Sequence, residues 1–294
     1  MGLFATLESV CQHPLNRAAP FAALWRFGRW QISQRVYPRR VVTPWISGTQ
    51  LVVGAGETGL TGNVYCGLHE FADMAFVLHY LRAQDRFVDV GANAGSYTVL
   101  AAGAAGAETI AIEPIPETFE RLLDNVHVNR LAARVTTLNC GAGARAAALR
   151  FTAHADTMNH ALDDGGDPAG SIVVPVRPLD DVVPLDRPVF IKIDVEGFET
   201  AVLDGARALL RSNQLRGMLV ELNGCGVRYG YDDARLHLRL LEAGFVACRY
   251  LPFERRLEPV TAVANGNVLY LRDPDEARER VRSARHLQIN GQRI

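Results

Sequence analysis

Asp89, Gly91, Asn93 and Gly95 alternate through the stretch Phe87–Thr98, where a short apolar run gives way to glycines and then to Ser96-Tyr97-Thr98. That order predicts a buried strand, a glycine turn and a helix. The glycines remove side chains where a ligand must approach the backbone, and the helix start offers unpaired N–H groups. A second apolar run, Thr109–Ile112, ends in Glu113 roughly twenty residues further on. In doubly wound sheets an acidic side chain at that offset binds ribose hydroxyls. The two stretches together predict a site for a nucleoside-containing cofactor.

Two cofactor classes share this arrangement. Dinucleotide enzymes use Gly-x-Gly-x-x-Gly, whose middle glycine lets a pyrophosphate lie on the helix terminus. Here the middle position is Asn93, and Asp89 sets an anion at the mouth of the turn. A carboxylate there repels a pyrophosphate and attracts an ammonium. S-adenosylmethionine has a ribose, no phosphate and an ammonium-bearing tail, so it suits these residues better. An NAD-dependent oxidoreductase would keep the acidic ribose partner but lacks the second glycine. A non-catalytic scaffold retaining the cofactor fold is a third reading, and the costly polar residues described next argue against it.

The run Val189–Asp194 predicts a central parallel strand covered on both faces, where Lys192 and Asp194 are expensive without partners. They lie two residues apart and share a face. A Lys192–carboxylate pair accounts for both, yet Asp194 also falls at the strand's C-terminal end, where open α/β sheets place their ligands. Glu196 follows in the turn. The next strand, Met218–Leu222, contains Glu221 and ends at Asn223. Asp194, Glu221 and Asn223 could offer oxygen ligands to Mg²⁺, but such groups commonly end strands without metal, and no metal is predicted. A polar loop carries Asp156-Thr157-Met158-Asn159-His160; His160 has the intrinsic pKa of a general base. Asp194, Glu196 and His160 are therefore the predicted catalytic set.

With these residues in view, the chain resembles the FkbM-type family of S-adenosylmethionine-dependent methyltransferases. The resemblance rests on Asp89–Thr98, on Ile112-Glu113-Pro114 and on Ile191-Lys192-Ile193-Asp194-Val195-Glu196-Gly197-Phe198-Glu199. It extends upstream to Gly67-Leu68-His69-Glu70 and downstream to Glu221-Leu222-Asn223. It implies an α/β, Rossmann-like class I methyltransferase with a seven-stranded, mostly parallel sheet and helices on both faces. It also implies O-methylation of a hydroxyl on a small molecule, sugar or natural product. The cofactor set it implies is Glu70, Asp89, Gly91, Asn93, Gly95, Ser96, Thr98, Glu113, Pro114, Cys140, Gly141 and Asp194. Glu70 would floor the pocket, and Cys140-Gly141 would border the adenine.

The expected organisation is an N-terminal helical and β-hairpin extension over 1–66 and a methyltransferase domain over 67–274, with an inserted hairpin and loop at about 145–177 and a charged tail over 275–294. Thr49–Val53 and Asn63–Cys66 are read as strands, and 70–81 as an amphipathic helix carrying Phe71, Met74, Leu78 and Leu81 on one stripe. Phe21–Trp30 mixes aromatics with arginines. Its expected form is a helix packing its tryptophans on the core with arginines outside; a basic surface for an acidic substrate, a membrane face or a partner is the alternative, and a homodimer contact is a common use of such an appendage. The tail from Asp273 is expected to be helical at best.

Composition is ordinary for a globular chain: 48% apolar and 21% charged, with a formal net charge of −1. No overall field favours nucleic acid or an anionic membrane. Cys11, Cys66, Cys140, Cys225 and Cys248 are scattered, without a C-x-x-C pair, and read as reduced thiols in a cytoplasm. No apolar run is long enough to span a bilayer, and Arg17 and Pro20 interrupt any signal-peptide core.

Overall fold

The structure, a computed structural model, describes residues 2–152, 161, 171–261 and 265–294. The chain opens with helices α1 (Leu3–Gln12) and α2 (Pro20–Val36), then an antiparallel hairpin of β1 (Val41–Pro44) and β2 (Gln50–Val53). Helices α3 (Thr58–Cys66) and α4 (Phe71–Tyr80) follow. Asn63–Cys66, expected as a strand, is thus the end of a helix, and β2 pairs with β1 instead. The physical reason lies downstream. Asn125 and Asn129 bond the backbone of Val52 and Gln50, so the outer edge of β2 is covered by side chains and needs no further strand. The stripe Phe71, Met74, Leu78 and Leu81 is buried as predicted.

Strand–helix alternation then builds the main sheet. In order come β3 (Arg86–Val90), α5 (Ser96–Val99, continued by a wide π-type turn Leu100–Ala105), β4 (Glu108–Ile112), α6 (Pro116–Val128) and β5 (Val135–Leu138). A small side sheet holds β6 (Gly141–Ala142), β7 (Ala147–Thr152) and β8 (Ser171–Arg177), the last two forming the expected inserted hairpin. The main sheet resumes with β9 (Val189–Ile193), α7 (Glu199–Asp204), α8 (Arg207–Arg211), β10 (Leu215–Leu222), α9 (Asp233–Glu242), β11 (Val246–Leu251), β12 (Arg256–Pro259) and β13 (Gly266–Leu271). The tail forms α10 (Pro274–Ser283) and a short pair, β14 (Gln288–Ile289) and β15 (Gln292–Arg293).

The main sheet runs β12-β11-β13-β10-β9-β3-β4-β5. The strands β10, β9, β3, β4 and β5 are mutually parallel, while β13, β11 and β12 are antiparallel to their neighbours. This is a Rossmann-like, mostly parallel sheet as the resemblance implies, with eight strands where seven were expected. The additional one, β12, is an edge strand ending in Pro259, and only an edge tolerates a proline that cannot donate to a ladder. Every residue of β3 and β9 is buried. The order of crossovers reverses between these two strands, which opens a crevice at their C-terminal ends.

The tail is tied to the body. Arg280 pairs with the buried Asp85 at 2.7 Å, Ile289 and Ile294 are buried, and Asn290 donates to the carbonyl of Cys66. Among the described residues no helix is long and apolar enough to cross a membrane.

Candidate functional site

A cavity of about 290 Å³ opens at the C-terminal ends of β3, β4, β9 and β10, roofed by the start of α3 and by His69 and Glu70. Its first wall is the turn after β3. Gly91 and Ala92 donate their N–H groups to the Ile112 carbonyl, both at 3.0 Å, which fastens the turn to the end of β4. Asn93 has a left-handed backbone (φ 50°), stabilised by its own Oδ1 accepting from Ala94 N–H at 2.6 Å. Glu113 accepts from Asn93 N–H and Ile115 N–H, each at 2.9 Å. Both its oxygens are oriented by backbone and keep lone pairs for a ligand. Burial pushes this carboxyl up to about 7, against those two hydrogen bonds.

The glycines act differently from expectation. A Cβ on Gly91 (φ 77°) would lie 1.8 Å from the Asp194 carbonyl oxygen, and one on Gly95 (φ 89°) would lie 2.6 Å from Leu122 Cδ1. They clear space for the protein's own strand end and helix rather than for a ligand. Thr98 donates to Asp89 Oδ2 at 2.7 Å, leaving Asp89 Oδ1 buried and unpartnered among the described residues. Asp89 lines the cavity and is 1% exposed. An unpartnered buried carboxylate oxygen is costly, and a cationic group entering the cavity would satisfy it.

The opposite wall is acidic. Lys192 is buried and donates to Asp194 Oδ2 at 2.7 Å, with its ammonium 4.9 Å from the centre of the Tyr97 ring. Burial alone would lower the lysine's pKa; Asp194, Asp89 and Glu70 outweigh it and hold the lysine charged. Asp194 is likewise kept below the ordinary carboxylate range, its burial offset by Lys192. Glu196 sits in the turn with φ 54°, and burial and then Asp194 raise its pKa. Glu221, at the end of β10, is driven up to about 9 by burial, then by Asp194 and Glu196. Asn223 donates to Glu221 Oε2 at 2.9 Å and to Glu196 Oε2 at 3.5 Å. Carboxylate oxygens of Asp194, Glu196 and Glu221 all lie within 4.8 Å of one another. Asn223 Oδ1 instead accepts from Cys225 N–H, so it is not the third oxygen of that group.

Of the predicted residues, Glu70, Asp89, Gly91, Asn93, Ser96, Glu113, Pro114, Gly141, Asp194 and Glu196 line the cavity. Gly95, Thr98 and Cys140 do not; Thr98 orients Asp89, and Cys140 is buried in the core under the sheet. His160 lies outside the described residues. Sequence reasoning missed Tyr97, which donates to Glu70 Oε2 at 2.6 Å, and Glu199, which braces the Asp194 turn by accepting from Val195 and Gly197 N–H at 3.1 Å. It also gave Phe151 and Phe198, the cavity's aromatic lining, no role. Glu199 had a signal, since it closes the Ile191–Glu199 run on which the resemblance rests.

The family profile of the FkbM methyltransferase domain matches residues 89–247. The chain belongs to the FkbM methyltransferase family. It is a methyltransferase, and S-adenosylmethionine is its cofactor. The FkbM match begins at Asp89, near the end of β3, and includes Glu113, Asp194, Glu196 and Glu221. No curated protein matches the chain. Among solved structures, this methyltransferase is similar to an rRNA methylase from Streptococcus thermophilus (13% identity, 67% of this chain and 91% of that one, TM-score 0.40). It is similar also to precorrin-6y C5,15-methyltransferase from Geobacter metallireducens (17%, 69% and 87%, 0.38). A third is M. capricolum TrmK in complex with S-adenosyl-homocysteine (10%, 67% and 65%, 0.38).

Proposed function

We propose that this methyltransferase acts on a hydroxyl of a small molecule, a sugar or natural product. The observation that carries the proposal is the gathering of Asp194, Glu196 and Glu221 within 4.8 Å, at strand ends beside the β3 turn. The same cavity fits the cofactor. Glu113 offers free lone pairs to ribose hydroxyls, and Asp89 Oδ1 lacks the partner that the ammonium would be. Asn93, Ser96, Pro114 and Gly141 complete that half, and Glu70, held by Tyr97, closes it. When bound, the cofactor supplies a methyl group already activated on a sulfonium.

The protein's remaining work is alignment, exclusion of water and removal of one proton. Alignment is worth about 7–11 kcal/mol. A general base adds about 10²–10⁴-fold, or roughly 3–5 kcal/mol. Glu196 takes the hydroxyl proton: it lines the cavity, it is only half-buried, and its raised pKa makes it a stronger base than an ordinary carboxylate. Glu221, protonated at neutral pH, is hydrogen-bonded to Asp194 and so fixes that carboxylate in the cavity. Asp194 stays ionised beside Lys192 and accepts from a second hydroxyl. Beside the protonated Glu221 the lining carries five further carboxyl groups against Lys192 as its one lysine or arginine, a field that disfavours phosphate-bearing acceptors such as nucleic acid.

The test is an acceptor screen with S-adenosylmethionine, the product located by mass spectrometry and NMR. A methyl found on oxygen, with no transfer to RNA, is the expected result. Transfer to nitrogen, carbon or RNA would overturn it.

A further inference from the structure

The chain's net charge of −1 is unevenly spread. Between Ser9 and Gly56 there are six arginines and no lysine, aspartate or glutamate. Helix α2 occupies the middle of this stretch. Its inner face, Ala23, Phe27, Trp30 and Gln34, is buried, and Phe27 packs on Tyr65 of α3 with ring centroids 4.9 Å apart. The opposite face is also apolar. Phe21 is 85% exposed, Trp25 72%, Ile32 64% and Val36 79%. At 100° per residue these four fall within about 60° of one another, with Gly28 beside them and Arg35 and Arg29 on the two flanks. The helix is about 25 Å long, so the stripe is a continuous surface and not a scatter of single exposed residues. The expected arrangement, tryptophans inward and arginines outward, holds for Trp30 but not for Trp25.

We propose that the outer face of α2 lies on the surface of an anionic phospholipid bilayer, with Phe21, Trp25, Ile32 and Val36 among the headgroups and upper acyl chains. Aromatic side chains favour that depth, and arginines flanking an apolar stripe pair with lipid phosphates. Four arginines are available for this. Arg17, Arg29, Arg35 and Arg39 are exposed, and none of them has an acidic partner among the described residues. Arg26 and Arg40 are instead spent within the fold, on Asn16 and on Glu57 and Asp124. A second copy of the chain fits the face poorly. A two-fold pairing would bring the arginines of both copies into one interface, with no acid in either stretch to separate them. The inner face of α2 rests on α3, whose first residues Thr58, Gly59 and Leu60 line the cavity, so a docked α2 would set the cavity one helix from the lipid.

The experiment is vesicle flotation of the full chain with pure phosphatidylcholine and with phosphatidylcholine–phosphatidylglycerol vesicles, at low and raised salt. Binding to the anionic vesicles, weakened by salt, is expected. Brominated acyl chains should quench tryptophan emission in the wild type. They should quench it much less in Trp25→Ser, although Trp30 and Trp45 remain. Removing Arg29 and Arg35 with R29Q and R35Q should weaken partitioning about fivefold each. Cofactor binding should be unchanged in every variant, which shows that the fold is intact. Failure to float with anionic vesicles, equal binding to neutral ones, or a dimer that Trp25→Ser converts to a monomer would each overturn the proposal.

Discussion

Lys192 stands directly opposite Asp89 in the parallel register of β3 and β9, both side chains buried, while its ammonium is bonded to Asp194 two residues along its own strand. One cation therefore compensates carboxylates on both walls of the cavity. Its place at the centre of the sheet explains why so many acids are tolerated around it.

Lys192→Met should leave Asp89 and Asp194 uncompensated in a buried setting and destabilise the protein by about 3–5 kcal/mol. Without the lysine both carboxyls favour their neutral forms, so the loss should shrink toward pH 5. Denaturant unfolding at two pH values measures it, and a loss independent of pH would mean that the lysine matters only for packing.

Glu113 is pushed up to about 7 by burial, yet ribose hydroxyls bind its ionised form. Below that pH a proton must leave as the cofactor enters, so affinity should fall toward tenfold per unit of pH. Calorimetric titration with S-adenosylhomocysteine between pH 5.5 and 8.5 follows this. Glu113→Ala should weaken binding severely and flatten the profile; unchanged affinity would remove the ribose assignment.

Glu196→Gln should lower kcat by about 10²–10⁴-fold and shift cofactor affinity little, because the base acts on the acceptor alone. Single-turnover kinetics beside cofactor titration separate the two. Equal loss in both would make Glu196 a structural turn residue, a role its φ of 54° could also serve.

Chelation should leave turnover unaffected. The three clustered carboxyl groups resemble a cation site, but Lys192 neutralises Asp194 and Glu221 carries its own proton at neutral pH. Loss of activity in EDTA, restored by Mg²⁺, would show that a metal displaces that proton.

Stability should decline as the solution becomes alkaline. Burial lifts Asp73, Glu113 and Glu199 to about 7 and Glu221 to about 9, so the folded chain holds these protons more tightly than the unfolded one. Their contribution is full below the ordinary carboxylate pKa, about 4, and is lost as pH rises through 7 and then 9. Asp194, shifted the other way, loses its contribution in acid. Tm should therefore peak near pH 4, about the ordinary carboxylate pKa, and fall toward pH 9, with Glu221→Gln removing part of the upper fall. Scanning calorimetry across that range decides it.

The sequence by itself determined the strand–turn–helix at Phe87–Thr98, the acid at the end of the next strand, and the costly pair Lys192 and Asp194. These are local facts: apolar runs, turn residues and a two-residue period act within a few positions of the chain. The antiparallel pairing of Ala147–Thr152 with Ser171–Arg177 was legible for the same reason. Tertiary structure alone decided the rest. That Gly91 is required by the Asp194 carbonyl depends on how closely β3 and β9 end together. Glu221 joins Asp194 and Glu196 because β10 pairs beside β9, setting Val220 against Ile193 across 27 residues of chain. Asn63–Cys66 is helical, and the edge of β2 that it was expected to join is covered by Asn125 and Asn129 from the end of α6. The two apolar faces of α2 look alike in sequence. Which of them faces the core is a matter of what packs there, and periodicity carries no information about that.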